Sequence, residues 1–169
     1  MNPVADAKIL FSQHRDGVFR YLSRIVGQAD TANELTQEVF LRAWRAPVAG
    51  ETEVERRAWV FKVARNLALN HLRDARRRPE TVELGEAAQP ATQELSVALQ
   101  QALAALPNLD RDVFLMKESA GLSYDEIASA CGVTLDAVRA RLHRARVQLP
   151  ALAADSEQAA RLEAASNRD

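Results

Sequence analysis

The stretch Ser123-Tyr124-Asp125-Glu126-Ile127-Ala128-Ser129-Ala130-Cys131-Gly132-Val133-Thr134-Leu135-Asp136-Ala137-Val138-Arg139-Ala140-Arg141-Leu142-His143-Arg144-Ala145-Arg146 decides the architecture. Ser123 and Glu126 stand three apart, the spacing of a capping box that opens a short helix. Gly132 stops that helix because it adopts a left-handed turn without a Cβ penalty. From Thr134 a second helix carries Val138, Leu142 and Ala145 on one face and Arg139, Arg141, Arg144 and Arg146 elsewhere. Two short helices joined by a tight glycine turn, the second rich in arginine, predict a helix-turn-helix that enters a DNA major groove. A solvated, salt-bridged face is the competing reading of the arginines. Thr134 to Leu149 holds one acid, Asp136, so pairing along the helix cannot neutralise four of them.

Working outward, apolar spacing reads as helix nearly everywhere and predicts an all-α chain. Phe11, Val18, Leu22 and Ile25 mark a first long helix ending near Gly27, with Gly17 a candidate bend. Asp30 is the expected cap of a second helix, with Leu35, Val39 and Ala43 inward, which Pro47 ends. Residues 46–50 form a loop. Thr52 and Glu55 form a second capping box, whose helix runs through Trp59, Val63, Leu67 and Leu72 until Pro79. Residues 1–78 thus read as a three-helix domain, and 79–94, with prolines, a glycine and glutamates, as a flexible acidic linker that allows independent domain motion. Leu95, Leu99, Leu103 and Leu106 form a stripe ending at Pro107, and a helix with Val113, Phe114 and Met116 ends at Gly121. Together with the helix-turn-helix these give a four-helix domain over 95–149. The remainder, 150–169, reads as a frayed helical tail.

The 169 residues are 47% hydrophobic and carry a formal charge of −1, unusual for a DNA binder acting alone. The charge is segregated. Arg56, Arg57, Lys62, Arg65, Arg73, Arg76, Arg77 and Arg78 face only Asp74 within their segment. Local basic faces on a nearly neutral body imply weak affinity for isolated DNA unless a partner protein assists. A single cysteine, Cys131, permits no internal disulfide, which fits a reducing cytoplasm. His14, His71 and His143 lie far apart without metal-ligand spacing. There is no phosphate loop or nucleophile elbow, so neither cofactor, metal nor enzymatic activity is expected. No run of about 18 apolar residues appears, so no membrane insertion is expected.

Trp59, Val63, Asn66, Asn70 and Arg73 are spaced four, three, four and three apart and share one helical face. Asn66 and Asn70 read either as amides for a base edge or as loop hydrogen bonds. Trp59 reads as core before stacking platform. Arg65, Arg76, Arg77 and Arg78 are expected phosphate contacts. Asn33 to Glu38, beside Phe40, Leu41 and Trp44, is either a wet helix face or a protein-binding one.

Ala32-Asn33-Glu34-Leu35-Thr36-Gln37-Glu38-Val39-Phe40-Leu41-Arg42-Ala43-Trp44 and Ala58-Trp59-Val60-Phe61-Lys62-Val63-Ala64-Arg65-Asn66-Leu67-Ala68 resemble the second region of extracytoplasmic-function (ECF) sigma factors, the smallest promoter-recognition subunits of bacterial RNA polymerase. Leu106-Pro107, Gly121 to Ala128 and Val138 to Arg146 resemble the fourth region. The resemblance implies that Glu34, Gln37, Glu38 and Leu41 face core RNA polymerase and that Asn66 and Asn70, with Arg65, Arg73, Arg76 and Arg77, meet the minus-ten element. It implies that the loop from Ala46 to Arg57 captures an unpaired base. Arg139, Ala140, His143 and Arg144 would read the minus-thirty-five element. It further implies promoter melting, an anti-sigma partner and residence in the cytoplasm. Glu34 stands where the family usually has Asp, and Asp136, Ala137 and Ala140 replace its Gly-Thr and Ser. Asp136 suits the helix dipole but repels phosphate, and Ala140 cannot donate a hydrogen bond. Two other classes fit the same residues: a dimeric regulator paired through the stripe Leu95 to Leu106, and a module that sequesters polymerase.

Overall fold

The computed structural model describes residues 3–46, 48–78 and 97–166. These form seven helices and, among the described residues, no strand. The first three, α1 (Pro3–Val26), α2 (Ala29–Arg45) and α3 (Glu53–Arg77), make the N-terminal domain. α1 runs unbroken through Gly17 and ends at Gly27, whose φ is +75°. α2 departs from expectation at its start: Gln28 occupies the cap position with no side-chain cap bond, and Asp30 lies within the first turn. There it complements the positive helix end electrostatically instead of accepting a capping bond. The Thr52–Glu55 capping box forms with both reciprocal bonds. Val18, Tyr21 and Leu22 of α1 meet Val39 of α2 and Val60, Phe61 and Ala64 of α3 in one core. Tyr21 and Phe61 pack edge to face with centroids 5.8 Å apart, each such burial contributing roughly 1.5–3 kcal/mol. Phe11 departs from its expected inward position. It is 43% exposed and leans edge-on against Phe40 at 5.1 Å.

The C-terminal domain comprises α4 (Val97–Ala105), α5 (Asn108–Glu118), α6 (Tyr124–Cys131) and α7 (Leu135–Ser166). Leu95 and the expected linker lie outside the described residues. Leu103 and Leu106 are buried and Leu99 packs at the edge of the core. The Ser123–Glu126 box forms in full, and Gly132 takes the left-handed conformation at φ +66°. Val133 N–H then donates to the Ala128 carbonyl at 3.0 Å, closing the helix end. Thr134 Oγ1 accepts from Ala137 N–H at 3.1 Å, so α7 starts where its sequence predicts. Burial pushes the Cys131 thiol up to about 11, leaving it protonated and unreactive. α7 does not fray after Leu149 but continues through Pro150 to Ser166. Proline there removes one backbone donor, while the alanine-rich sequence favours helix and Leu152 and Ala153 pack against the core.

Instead of standing apart as two independently moving bodies, the domains pack together, α3 against α6 and α1 against α4 and α5. His14 is buried here, its Nε2 3.9 Å from Glu53 and without a hydrogen-bond partner. Burial, then the Arg57 charge, holds its pKa below the ordinary value despite Glu53 and Glu126. The folded chain therefore binds fewer protons at His14 than the unfolded chain. Its stabilising effect is complete above about pH 6.5 and is lost as pH falls towards the folded pKa, at a rate of at most about 1.4 kcal/mol per pH unit. Thermal unfolding between pH 7.5 and 5.5 is expected to show this decline, and His14→Gln to flatten it.

Candidate nucleic acid interface

Helix formation over 53–77 brings Asn66, Asn70 and Arg73 to one exposed face, with Arg76 and Arg77 exposed in the last turn. Arg73 Nη2 donates to Asn70 Oδ1 at 3.1 Å, which fixes that amide's orientation. Asn66 is exposed and available to a ligand. Trp59 is half-buried against the core, in keeping with its structural reading. Arg65 is set apart from this face: its Nε donates to Asp112 Oδ2 at 2.9 Å, and the Asp112 side chain is fully buried. Asp112 also accepts two bonds from Arg111, so Arg65 shares that carboxylate, and in this structure its guanidinium is turned to the acid and away from the exposed face.

On α7, Val138, Leu142 and Ala145 are buried, which turns Arg139, Ala140, His143 and Arg144 towards solvent. Arg139 pairs with Asp136 at 3.1 Å, and its guanidinium lies 6.0 Å from the centroid of the Tyr124 ring. The remaining arginines find acids on α5. Arg141 Nη1 reaches Asp110 at 2.7 Å, Arg144 donates twice to the same carboxylate at 3.2 Å, and Arg146 reaches Glu118 at 2.7 Å. Burial alone raises the Asp110 pKa, but bonds from Arg144 and Arg141 outweigh it and hold the carboxyl below the usual range. Asp110 and Glu118 were not among the expected site residues, because pairs about thirty positions apart leave no local spacing to read. Their effect is to hold the arginine side chains in place and to offset part of their charge.

A third surface lies on α2. Glu34 and Gln37 are exposed, Glu38 pairs with Arg42 at 3.1 Å, and Leu41 and Trp44 are 45% and 48% exposed. Between α1 and α2 lies a groove of about 390 Å³ lined by Lys8, Phe11, Gln37, Phe40, Leu41 and Trp44. Apolar walls with a polar rim suit a protein partner, and Phe11 is the member that sequence periodicity assigned to the core. Among the described residues, no group of three or more His, Cys, Asp or Glu side chains gathers to hold a metal, and no helix is long and apolar enough to cross a membrane.

Residues 10–78 match the family described as Sigma-70 region 2, and residues 96–149 that described as Sigma-70, region 4. The ECF RNA polymerase sigma factor SigL of Mycobacterium tuberculosis is 35% identical over 147 residues, spanning 82% of this chain and 83% of the relative. The chain belongs to the ECF sigma factors. The ECF sigma factor SigE of Mycolicibacterium smegmatis is 34% identical over 151 residues, covering 83% of this chain and 58% of its own length. The sigma factor RpoE, solved in complex with the anti-sigma factor NepR from Bartonella quintana, shares the fold with a TM-score of 0.67 at 22% identity, covering 88% of this chain and 97% of that one. CnrH, solved with the cytosolic domain of CnrY, aligns with a TM-score of 0.61 at 24% identity over 89% and 94% of the two chains. As a sigma factor, the protein serves promoter-specific transcription initiation.

Proposed function

We propose that this ECF sigma factor docks on core RNA polymerase through the α2 face of Glu34, Gln37, Glu38 and Leu41, reads the minus-ten element with α3 and reads the minus-thirty-five element with α7. The observation that carries this reading is the presence of two exposed sets on separate domains: Asn66 and Asn70 with Arg73, Arg76 and Arg77 on α3, and Ala140 and His143 with Arg139 and Arg144 on α7. The factor performs no covalent chemistry. It assists melting by favouring the open strand, each captured base contributing roughly 1–3 kcal/mol. It acts in the cytoplasm beside polymerase, and by analogy with RpoE, solved with the anti-sigma factor NepR, it is held in check by an anti-sigma partner. The rival dimeric regulator loses its dimerisation stripe, since Leu103 and Leu106 are buried within the chain.

Run-off transcription with purified core polymerase tests the proposal. Transcripts that depend on the protein are the expected result, and polymerase binding without transcripts would identify a sequestering module instead. Within that assay, Asn66→Ala is expected to change preference at minus-ten positions, and Arg144→Ala to weaken upstream binding by roughly 1–3 kcal/mol if it contacts a base. Unaltered promoter profiles in both variants would reject these assignments.

A further inference from the structure

An acid on α5 holds two arginines of α7. Asp110 Oδ1 accepts from Arg141 Nη1 at 2.7 Å and from Arg144 Nη2 at 3.2 Å, while Oδ2 accepts from Arg144 Nε at 3.2 Å. Arg144 therefore meets the carboxylate side-on, through the edge formed by Nε and Nη2. The Asp110 side chain is 2% exposed, whereas Asp136 and Glu118, the acids opposite Arg139 and Arg146, are 94% and 45% exposed. Exposed pairs hold their partners weakly, while a buried carboxylate fixes the group bonded to it. We infer that Asp110 is a positioning residue that makes Arg144 a reader of guanine, by occupying the edge that could otherwise lie on a phosphate. The inference rests on the proposed reading of the upstream element by α7 and extends it from contact to base identity.

A guanidinium carries five N–H donors in a planar fork and no acceptor. Paired bonds form along the side edge of Nε and Nη2, or at the end, with one N–H from each Nη. Phosphate oxygens match such pairs but carry no sequence information. With the side edge held by Asp110, the end pair points away from the acid, and Arg144 is 50% exposed. In the major groove guanine offers two adjacent acceptors, O6 and N7. Adenine sets a donor beside its N7, cytosine presents a donor, and thymine has a single acceptor. Guanine is thus the base that satisfies both N–H groups of the end pair.

The charge of the cluster suits the same role. Two arginines against one acid leave it net positive, so the buried carboxylate does not turn this part of α7 against DNA. Burial opposes ionisation of Asp110, but the bonds from Arg144 and Arg141 outweigh it, and the support is present at neutral pH. A fork held before DNA arrives also spares the cost of ordering a long side chain on binding. Removing the acid has two effects that a merely structural role would not produce. It exposes the side edge to phosphate and deletes a negative charge, so discrimination falls while general affinity for DNA does not.

Binding of polymerase holoenzyme, assembled with the full chain, to a duplex pool randomised across the upstream element reads base preference at every position. With wild type, one position is expected to favour guanine by on the order of tenfold or more. Asp110→Asn accepts through one oxygen only and sets an amide N–H against the other Arg144 donor. Guanine preference at that position is then expected to fall to within about threefold, with the other positions unchanged. Affinity for the pool as a whole should hold or rise, and its salt dependence should steepen by about one phosphate contact. Arg144→Lys, which keeps the charge but lacks the fork, should lose the same preference, and adding Asp110→Asn to it should cause no further loss. Guanine preference that survives Asp110→Asn, or a fall at every position together with affinity, would overturn the inference. A wild-type pool without preference at any position would instead reject the upstream reading itself, and the inference with it. Circular dichroism checks that helices persist. If Asp110→Asn loses them, Asp110→Glu, which keeps the charge and displaces the carboxylate by one methylene, is read for the same loss of guanine preference.

Discussion

Asp112→Ala is expected to be among the most damaging single substitutions in the chain, lowering stability by about 3–5 kcal/mol. The Asp112 side chain is fully buried, and its Oδ1 accepts from Arg111 Nε and Nη2 while Oδ2 accepts from Arg65. Arg65 can turn to solvent once the acid is gone. Arg111 cannot do so easily, since it is 5% exposed and its guanidinium would be left buried without a counter-charge. Against a total stability of roughly 5–15 kcal/mol for a domain, that loss leaves little margin. Urea unfolding followed by circular dichroism measures it. Adding Arg111→Met should restore much of the stability, because the pair is then replaced by apolar volume. A loss below about 1 kcal/mol in the single variant would contradict the pairing.

Leu142→Ala ranks next, with an expected cost of about 2–5 kcal/mol. Leu142 is 1% exposed between Val138 and Ala145 on the buried face of α7, and it fixes the helix that carries Arg139, Ala140, His143 and Arg144. The damage should be confined to one domain. Binding to an upstream-element duplex is expected to collapse, while capture by core polymerase through α2 persists. Loss of both activities would show that the two domains depend on each other for folding.

Local signals transferred well from sequence to structure where a short motif supplies its own partners. The two capping boxes, Ser123 with Glu126 and Thr52 with Glu55, close as their three-residue spacing requires, and Gly132 takes the left-handed turn. The buried stripe Val138, Leu142 and Ala145 follows from helical periodicity. Legibility ended where partners are distant. Nothing near Arg65 announces Asp112, and nothing near Arg144 announces Asp110, yet those acids determine how much of each charge is available. Competition between local rules explains the other differences. Asp30 suits a cap by residue type, but the cap falls two residues earlier, at Gln28, without a side-chain cap bond, and Asp30 lies in the first turn, where its charge also suits the helix end. Pro150 argued for a break, but helix-favouring alanines and the contacts of Leu152 and Ala153 prevailed. The near-zero net charge also has a local side: Asp110, Asp112, Glu118 and Glu126 pair with arginines, so part of the basicity of α3 and α7 is neutralised within the fold.

The unbroken run of α7 from Leu135 to Ser166 makes the proposed DNA-reading end and the distal end parts of one boom. At 1.5 Å per residue its 32 residues extend about 48 Å. A pivot of about 10° at the groove would therefore swing Ser166 by about 8 Å. A fluorophore placed there is a mechanical indicator of how the reading end seats itself, and a bulky fusion at the same point would load that movement.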